Sequence, residues 1–474
     1  MKAPRTALLR LLAGPLAAAL AGAAAAAAGQ PGAAVATAAV TALCATWWVL
    51  EPIHIAATSI IPFAVFPLLG VIDEKAVATS YGHPLVMLLM GGFMLSTAMA
   101  ASGAHRRLAV GMIRLVGGGR RRLVLGFMLA TALCSMWISN TATVLMLLPV
   151  ALAVIEADPE SGTLAPPLLL GIAYAASIGG MGTPIGTPPN VVLLGVYSEV
   201  TGVQVGFLDW MRVGLPVVAC LLPLAWLVVV RGMPGGSRPA IPSLPPMGRH
   251  EARVLVVFAL TALAWVTRTA PWGGWSGALG ITGAGDGTVA FASLVALFVL
   301  PAGASRQPSS GRALDDRLLS WDEARQVPWG LLLLFGGGIS IARAFEASGL
   351  GQALGDHLAL LASLPTLLMI AVVCLAVTFL TEVTSNTATT TLLMPILAAA
   401  AVAVKLDPAL LMVPAALSAS CAFMLPVATA PNAVVFGTDR VPITSMVRHG
   451  LALNLAGVVV IAGLCRLLLV HGLA

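Results

Sequence analysis

Two short stretches of this chain carry residue types that can hold small ions without bearing charge themselves. Ser139-Asn140-Thr141-Ala142-Thr143 is followed after five residues by Pro149, and Ser385-Asn386-Thr387-Ala388-Thr389 after five residues by Pro395. Hydroxyl and amide oxygens suit a hard cation. Backbone N–H groups at a helix start suit an anion. An asparagine offers both, its carbonyl to a cation and its amide to an anion. No Lys, Arg or His lies in either stretch. A doubly charged anion there meets only dipoles and neutral donors, which is poor compensation in a low dielectric. Bound cations would supply the missing charge, so the residue types predict adjoining cation and anion sites that raise each other's affinity.

The elements that position these stretches repeat with them. At the same offset of 246, Gly91-Gly92 through Ser102-Gly103 matches Gly337-Gly338 through Ser348-Gly349, and Ser135 matches Thr381. At an offset of 242, Thr187-Pro188-Pro189-Asn190 pairs with Thr429-Ala430-Pro431-Asn432, and Gly195 with Gly437. Each half thus has two interruptions, a Ser-Asn-Thr tip and a Pro-Asn break. A lone Ser-Asn-Thr in a membrane helix reads as packing glue; duplicated together with the breaks, it reads as a site.

Composition names the solvent. The 474 residues are 59% hydrophobic and 9% charged, with a mean hydropathy of +0.97. A soluble domain carries about 25% charged residues, so this is an integral membrane protein. An aromatic share of 5% and 49 glycines argue against an outer-membrane barrel with aromatic girdles. The expected fold is all-α, with about eleven transmembrane helices plus two re-entrant hairpins in an inverted repeat. The hairpins are assigned because residues 123–155 and 366–404 carry a polar cluster between arms too short to cross. The first helix, 1–34, has the basic start of a signal peptide, but its length favours a span. The first repeat covers 35–231, with hairpin 121–156 and broken helix 165–198. A linker at 232–251 leads to the second repeat, 252–474, with hairpin 364–404 and broken helix 408–438. Single spans are expected at 55–72 and 450–470, and an interfacial helix at 314–325.

With the N-terminus cytoplasmic and the C-terminus periplasmic, 19 of the 25 Lys and Arg residues fall on the cytoplasmic side. This places the halves in opposite orientations, the pattern of secondary transporters with a midplane site. It also explains the net charge of +6 without a nucleic-acid partner. The Ala/Gly/Arg-rich composition points to a bacterial inner membrane. The six cysteines lack CxxC spacing and imply neither zinc nor disulfides. The Gly91-Gly92 and Gly336-Gly337-Gly338 runs read as close helix packing, Glu51 as an interfacial anchor, and Glu382 as either an ion ligand or a buried partner of a neighbouring helix. An intramembrane hydrolase using Ser139 or Ser385 lacks a base, since neither cluster holds His or Asp.

These features resemble the divalent anion/sodium symporter family of dicarboxylate, citrate and sulfate carriers. The resemblance rests on Trp47-Trp48-x-x-Glu51-Pro52 leading to Phe66-Pro67-Leu68-Leu69-Gly70, on both Ser-Asn-Thr motifs, and on Ala419 through Val435, which fits the family's signature. It implies a homodimer in which each protomer moves a transport domain against a scaffold in an elevator motion. It assigns sodium to Ser135, Ser139, Asn140 and Gly186 in one half and to Thr381, Ser385, Asn386 and Ala428 in the other. It assigns the substrate to Asn140, Thr141, Asn386 and Thr387, with Thr187 and Ala430 lining the pocket. The expected activity is sodium-coupled symport of C4-dicarboxylates. Exchange, proton coupling, and citrate or sulfate as substrate are the alternatives. Thr429-Ala430-Pro431-Asn432 departs from the family's common Thr-Pro-Pro-Asn.

Overall fold

The computed structural model describes residues 4–116, 119–158, 161–234, 245–269, 273–281, 283–303, 317–353, 365–403, 405–469 and 473. No strand occurs among them; an isolated bridge pairs Pro301 with Arg317. Seven described helices are long and apolar enough to cross a membrane. Others are shorter because the chain interrupts them.

The two hairpins are Arg120–Ser135 with Asn140–Glu156, and Thr366–Thr381 with Asn386–Ala403. The broken helices are Ser161–Gly180 with Pro188–Thr201, and Ala409–Ala419 with Ala430–Phe436. The halves interlock. Ser161–Gly180 packs against Ala430–Phe436, and Pro188–Thr201 against Ala409–Ala419 and Asn386–Ala403. Phe207–Val229 and Ile443–Leu468 pack on each other and flank this group. Together they form one body.

A second body comprises the helices between residues 4 and 102 and between 249 and 353: Gly32–Leu50 and the short helices between Ile55 and Tyr81 pack on Trp329–Ser348, and Arg249–Val266 and Asp286–Val299 pack on Pro84–Ser102. Glycines bring its helices close: a Cβ on Gly91 would stand 2.5 Å from the Ala290 Cβ, and one on Gly337 2.7 Å from the Ser59 carbonyl oxygen. The amphipathic helix Ala104–Val116 leads from this body to the first hairpin. Its Arg107 pairs with Glu251 at 2.6 Å. The bodies meet where Trp329–Ser348 packs on Pro188–Thr201 and Asn386–Ala403, and side-chain contacts also bridge them. Arg343 grips Glu199 through two hydrogen bonds of 2.8 Å. Trp137, in the first hairpin's turn, stacks on Trp265 of Arg249–Val266 with ring centres 6.2 Å apart. Phe207 joins the stack, 5.7 Å from Trp137 and 4.9 Å from Trp265.

Three elements differ from the sequence expectation. The span expected at 55–72 is two short helices, Ile55–Thr58 and Ile61–Leu68, because Pro62 restarts the helix where an N–H is not needed. The last helix begins at Ile443, directly after the extended Pro442 cap, rather than near 450. Within 314–325, the described helix is the single turn Trp321–Ala324. Residues 314–316 and 235–244 of the linker lie outside the described residues.

Candidate ion and substrate site

The interruptions of both halves meet at one cavity of about 730 Å³ between the two bodies. It is lined by Ser139, Asn140, Thr141, Gly186 and Thr187 from the first half and by Ser385, Asn386, Thr387, Ala428 and Ala430 from the second. Of the twelve residues singled out from the sequence, Ser135 and Thr381 stand behind this wall, each bonded to the asparagine in front of it.

The geometry is repeated atom for atom. In the first half, the Ser135 hydroxyl lies 2.7 Å from both Asn140 Oδ1 and the Ala176 carbonyl oxygen. In the second, the Thr381 hydroxyl lies 2.7 Å from Asn386 Oδ1 and 3.0 Å from the Ala419 carbonyl oxygen. Each triad has three oxygens and a single hydroxyl proton, an excess of lone pairs that suits a hard cation. Among the described residues neither asparagine's amide nitrogen has a partner, and neither is buried. The helices Asn140–Glu156 and Asn386–Ala403 both begin at these residues, so their first N–H groups also point at the cavity end.

The breaks share a second frame. Asn190 Nδ2 donates to the carbonyls of Gly180 at 3.0 Å and Thr183 at 2.8 Å. Asn432 Nδ2 donates to those of Ala422 and Leu425, both at 3.0 Å. Both asparagines are fully buried, and Oδ1 of each has no partner among the described residues. At Gly180 a Cβ would stand 2.8 Å from Asn140 Oδ1 and 3.1 Å from the Gly186 carbonyl oxygen. Hairpin and break oxygens therefore converge on the open side of this glycine, as a cation cradle requires.

Sequence reasoning left Glu382 outside the site, yet it holds the second break. Its Oε1 accepts from the N–H groups of Phe423 at 2.8 Å and Met424 at 2.9 Å and from Asn454 Nδ2 at 2.7 Å; Oε2 accepts from the Leu425 N–H at 3.0 Å. These four donors occupy both carboxylate oxygens and tie the hairpin to the break and to the last helix. The matching position of the first half is Met136, whose backbone carbonyl accepts the Thr183 hydroxyl. The repeat could not reveal Glu382, because its counterpart has no side-chain polar group. Asn190 and Asn432 were visible in the duplicated Pro-Asn breaks, but their bridging role was not.

A family model described as a citrate transporter matches residues 45–413. The sodium-dependent dicarboxylate transporter SdcS of Staphylococcus saprophyticus is 39% identical, over 96% of this chain and 90% of its own length. That of Staphylococcus aureus strain USA300 is 38% identical, over 96% and 89%. Among solved structures, the Alcanivorax borkumensis YdaH transporter, described as having an unusual topology, superposes with a TM-score of 0.58 at 18% identity, covering 82% of this chain and 86% of its own. That likeness concerns the fold alone. The duplicated tips, the near full-length relatives and the matching family model agree: the chain belongs to the divalent anion/sodium symporter family of membrane transporters.

Proposed function

We propose that this protein is a sodium-coupled symporter of C4-dicarboxylates such as succinate, malate and fumarate, working in a bacterial inner membrane. The observation that carries the reading is the pair of proton-poor oxygen triads, Ser135–Asn140–Ala176 and Thr381–Asn386–Ala419, on a cavity with no cationic side chain on its described wall. Sodium at Ser135, Ser139, Asn140 and Gly186, and at Thr381, Ser385, Asn386 and Ala428, supplies the charge the wall lacks. The carboxylates then take the Asn140 and Asn386 amides, the Thr141 and Thr387 hydroxyls and the free N–H groups, with Thr187 and Ala430 shaping the pocket. Loading neutralises the site, which makes crossing of the low-dielectric core affordable. The names of the staphylococcal relatives support the same substrate class.

The body that holds hairpins and broken helices is the moving element in this reading, sliding against the second body in a homodimer. An exchanger needs another counter-charge in place of sodium, and no Lys or Arg lines the cavity among the described residues. The test is uptake of labelled succinate into proteoliposomes, with Asn140→Ala as the blank. Uptake that requires an inward sodium gradient and vanishes in the variant is the expected result. Sodium-independent uptake accelerated by internal succinate overturns symport. Uptake of citrate or sulfate alone overturns the substrate class.

A further inference from the structure

The cavity that holds the two tips has one charged side chain among its described wall residues, and its sign opposes a dicarboxylate. Glu51 lines the same cavity from the second body and is exposed. None of the ion pairs among the described residues includes it, and it has no unstated partner. Its backbone is in the left-handed region, φ 43° and ψ 53°, where it ends the helix Gly32–Leu50. Glycine or asparagine closes a helix in that conformation with less strain. The cap geometry therefore does not call for a glutamate; the acid is held there against local preference, as occurs at functional positions.

We propose that Glu51 is a release determinant: a fixed negative charge that draws sodium into the cavity and weakens the hold on the dicarboxylate in the state where the site faces it. The proposal rests on the symport reading. In the orientation set by the Lys and Arg bias, Glu51 lies at the cytoplasmic end, so it acts on unloading. The size of the effect depends on separation, for which about 10 Å serves as the reference. At that distance in water, a unit charge weakens a dianion about fourfold and strengthens a sodium ion about twofold. Both effects fade with salt, because the Debye length drops from about 30 Å at 0.01 M to about 3 Å at 1 M.

The experiment uses the purified full chain. Succinate binding is measured in saturating sodium, and sodium half-saturation separately, for wild type, Glu51→Gln and Glu51→Lys at low and high choline chloride. Glu51→Gln is expected to bind succinate about fourfold more tightly and sodium about twofold more weakly, Glu51→Lys to extend both trends, and high salt to erase them. A second arm needs no substrate. In a Cys220→Ser background, Ala100→Cys places a thiol on the cavity wall, and its rates with a cationic and an anionic methanethiosulfonate are compared. Their ratio is expected to fall about fourfold on Glu51→Gln. An unchanged ratio, or affinity changes that ignore charge order and salt, overturns the proposal. A wild type that binds no succinate, with the ratio moving as expected, overturns the symport reading and the release role, and keeps Glu51 as the source of the cavity's field.

Discussion

The two halves build one polar frame by different means. Tip triads and bridging asparagines coincide residue by residue, but the breaks behind them do not. The first break is packed against its surroundings by small residues: Gly179, Gly180, Gly182 and Gly186 stand where the second half has Cys421, Ala422, Met424 and Ala428. A Cβ on Gly182 would lie 2.9 Å from the Met136 side chain, and residues 181–187 are all buried. The second break is more open, with Val427 83% exposed, and its N–H groups are held by the Glu382 carboxylate instead. Duplication supplied the frame, and each half then stabilised its break according to its burial. A dry break can be fixed by backbone proximity. A wetter one needs strong, charge-assisted hydrogen bonds.

The largest test of this contrast removes the shared frame. Asn190→Leu and Asn432→Leu each strand two carbonyls, at about 1–3 kcal/mol per unsatisfied buried group. Sodium-dependent uptake should fall about a hundredfold or more in both, read at matched membrane expression; tolerance in either half would mean the frame is not common. Next comes the clamp. Glu382→Gln loses the charge behind four hydrogen bonds and should reduce uptake roughly tenfold to a hundredfold, at about 1.5–3 kcal/mol for a charged bond. Met136→Leu should stay within about twofold, since it keeps volume and removes no side-chain hydrogen bond. Equal losses would erase the distinction.

Gly180→Ala sharpens the comparison further, because its counterpart is already Ala422. Crowding Asn140 Oδ1 should raise sodium half-saturation about tenfold through overpacking of about 1–2 kcal/mol, whereas Ala422→Gly should shift it little. Control substitutions aside, the smallest effect belongs to the triads. Ser135→Ala and Thr381→Val each delete one hydroxyl and should weaken sodium about two- to fivefold. Titrations of the two variants that differ widely would show that the two proposed sodium sites are unequal despite their shared geometry.

The frame was legible in the sequence because duplication prints it twice: Asn140 and Asn386 announce each other at one spacing, as do the Pro-Asn breaks. What occurs in a single half was not. Glu382 meets N–H groups more than forty residues away, and no local pattern reveals which donors a folded break will turn toward it. Glu51 reads as an interfacial anchor beside Trp47 and Trp48, and only the fold places it on the cavity wall. The interruption near Ile60 is invisible to hydropathy, which averages across a proline restart that backbone sterics impose.

Trp137 gives the molecule an optical reporter of its own. It belongs to the turn that carries the first tip, while Trp265, parallel to it within 9°, belongs to the opposite body. In the proposed transport cycle, sliding one body past the other parts these rings and changes the emission of both indoles. Unlabelled protein should therefore display its conformational cycle in intrinsic fluorescence as sodium and substrate are added, and Trp137→Phe should darken that signal while leaving the polar frame intact.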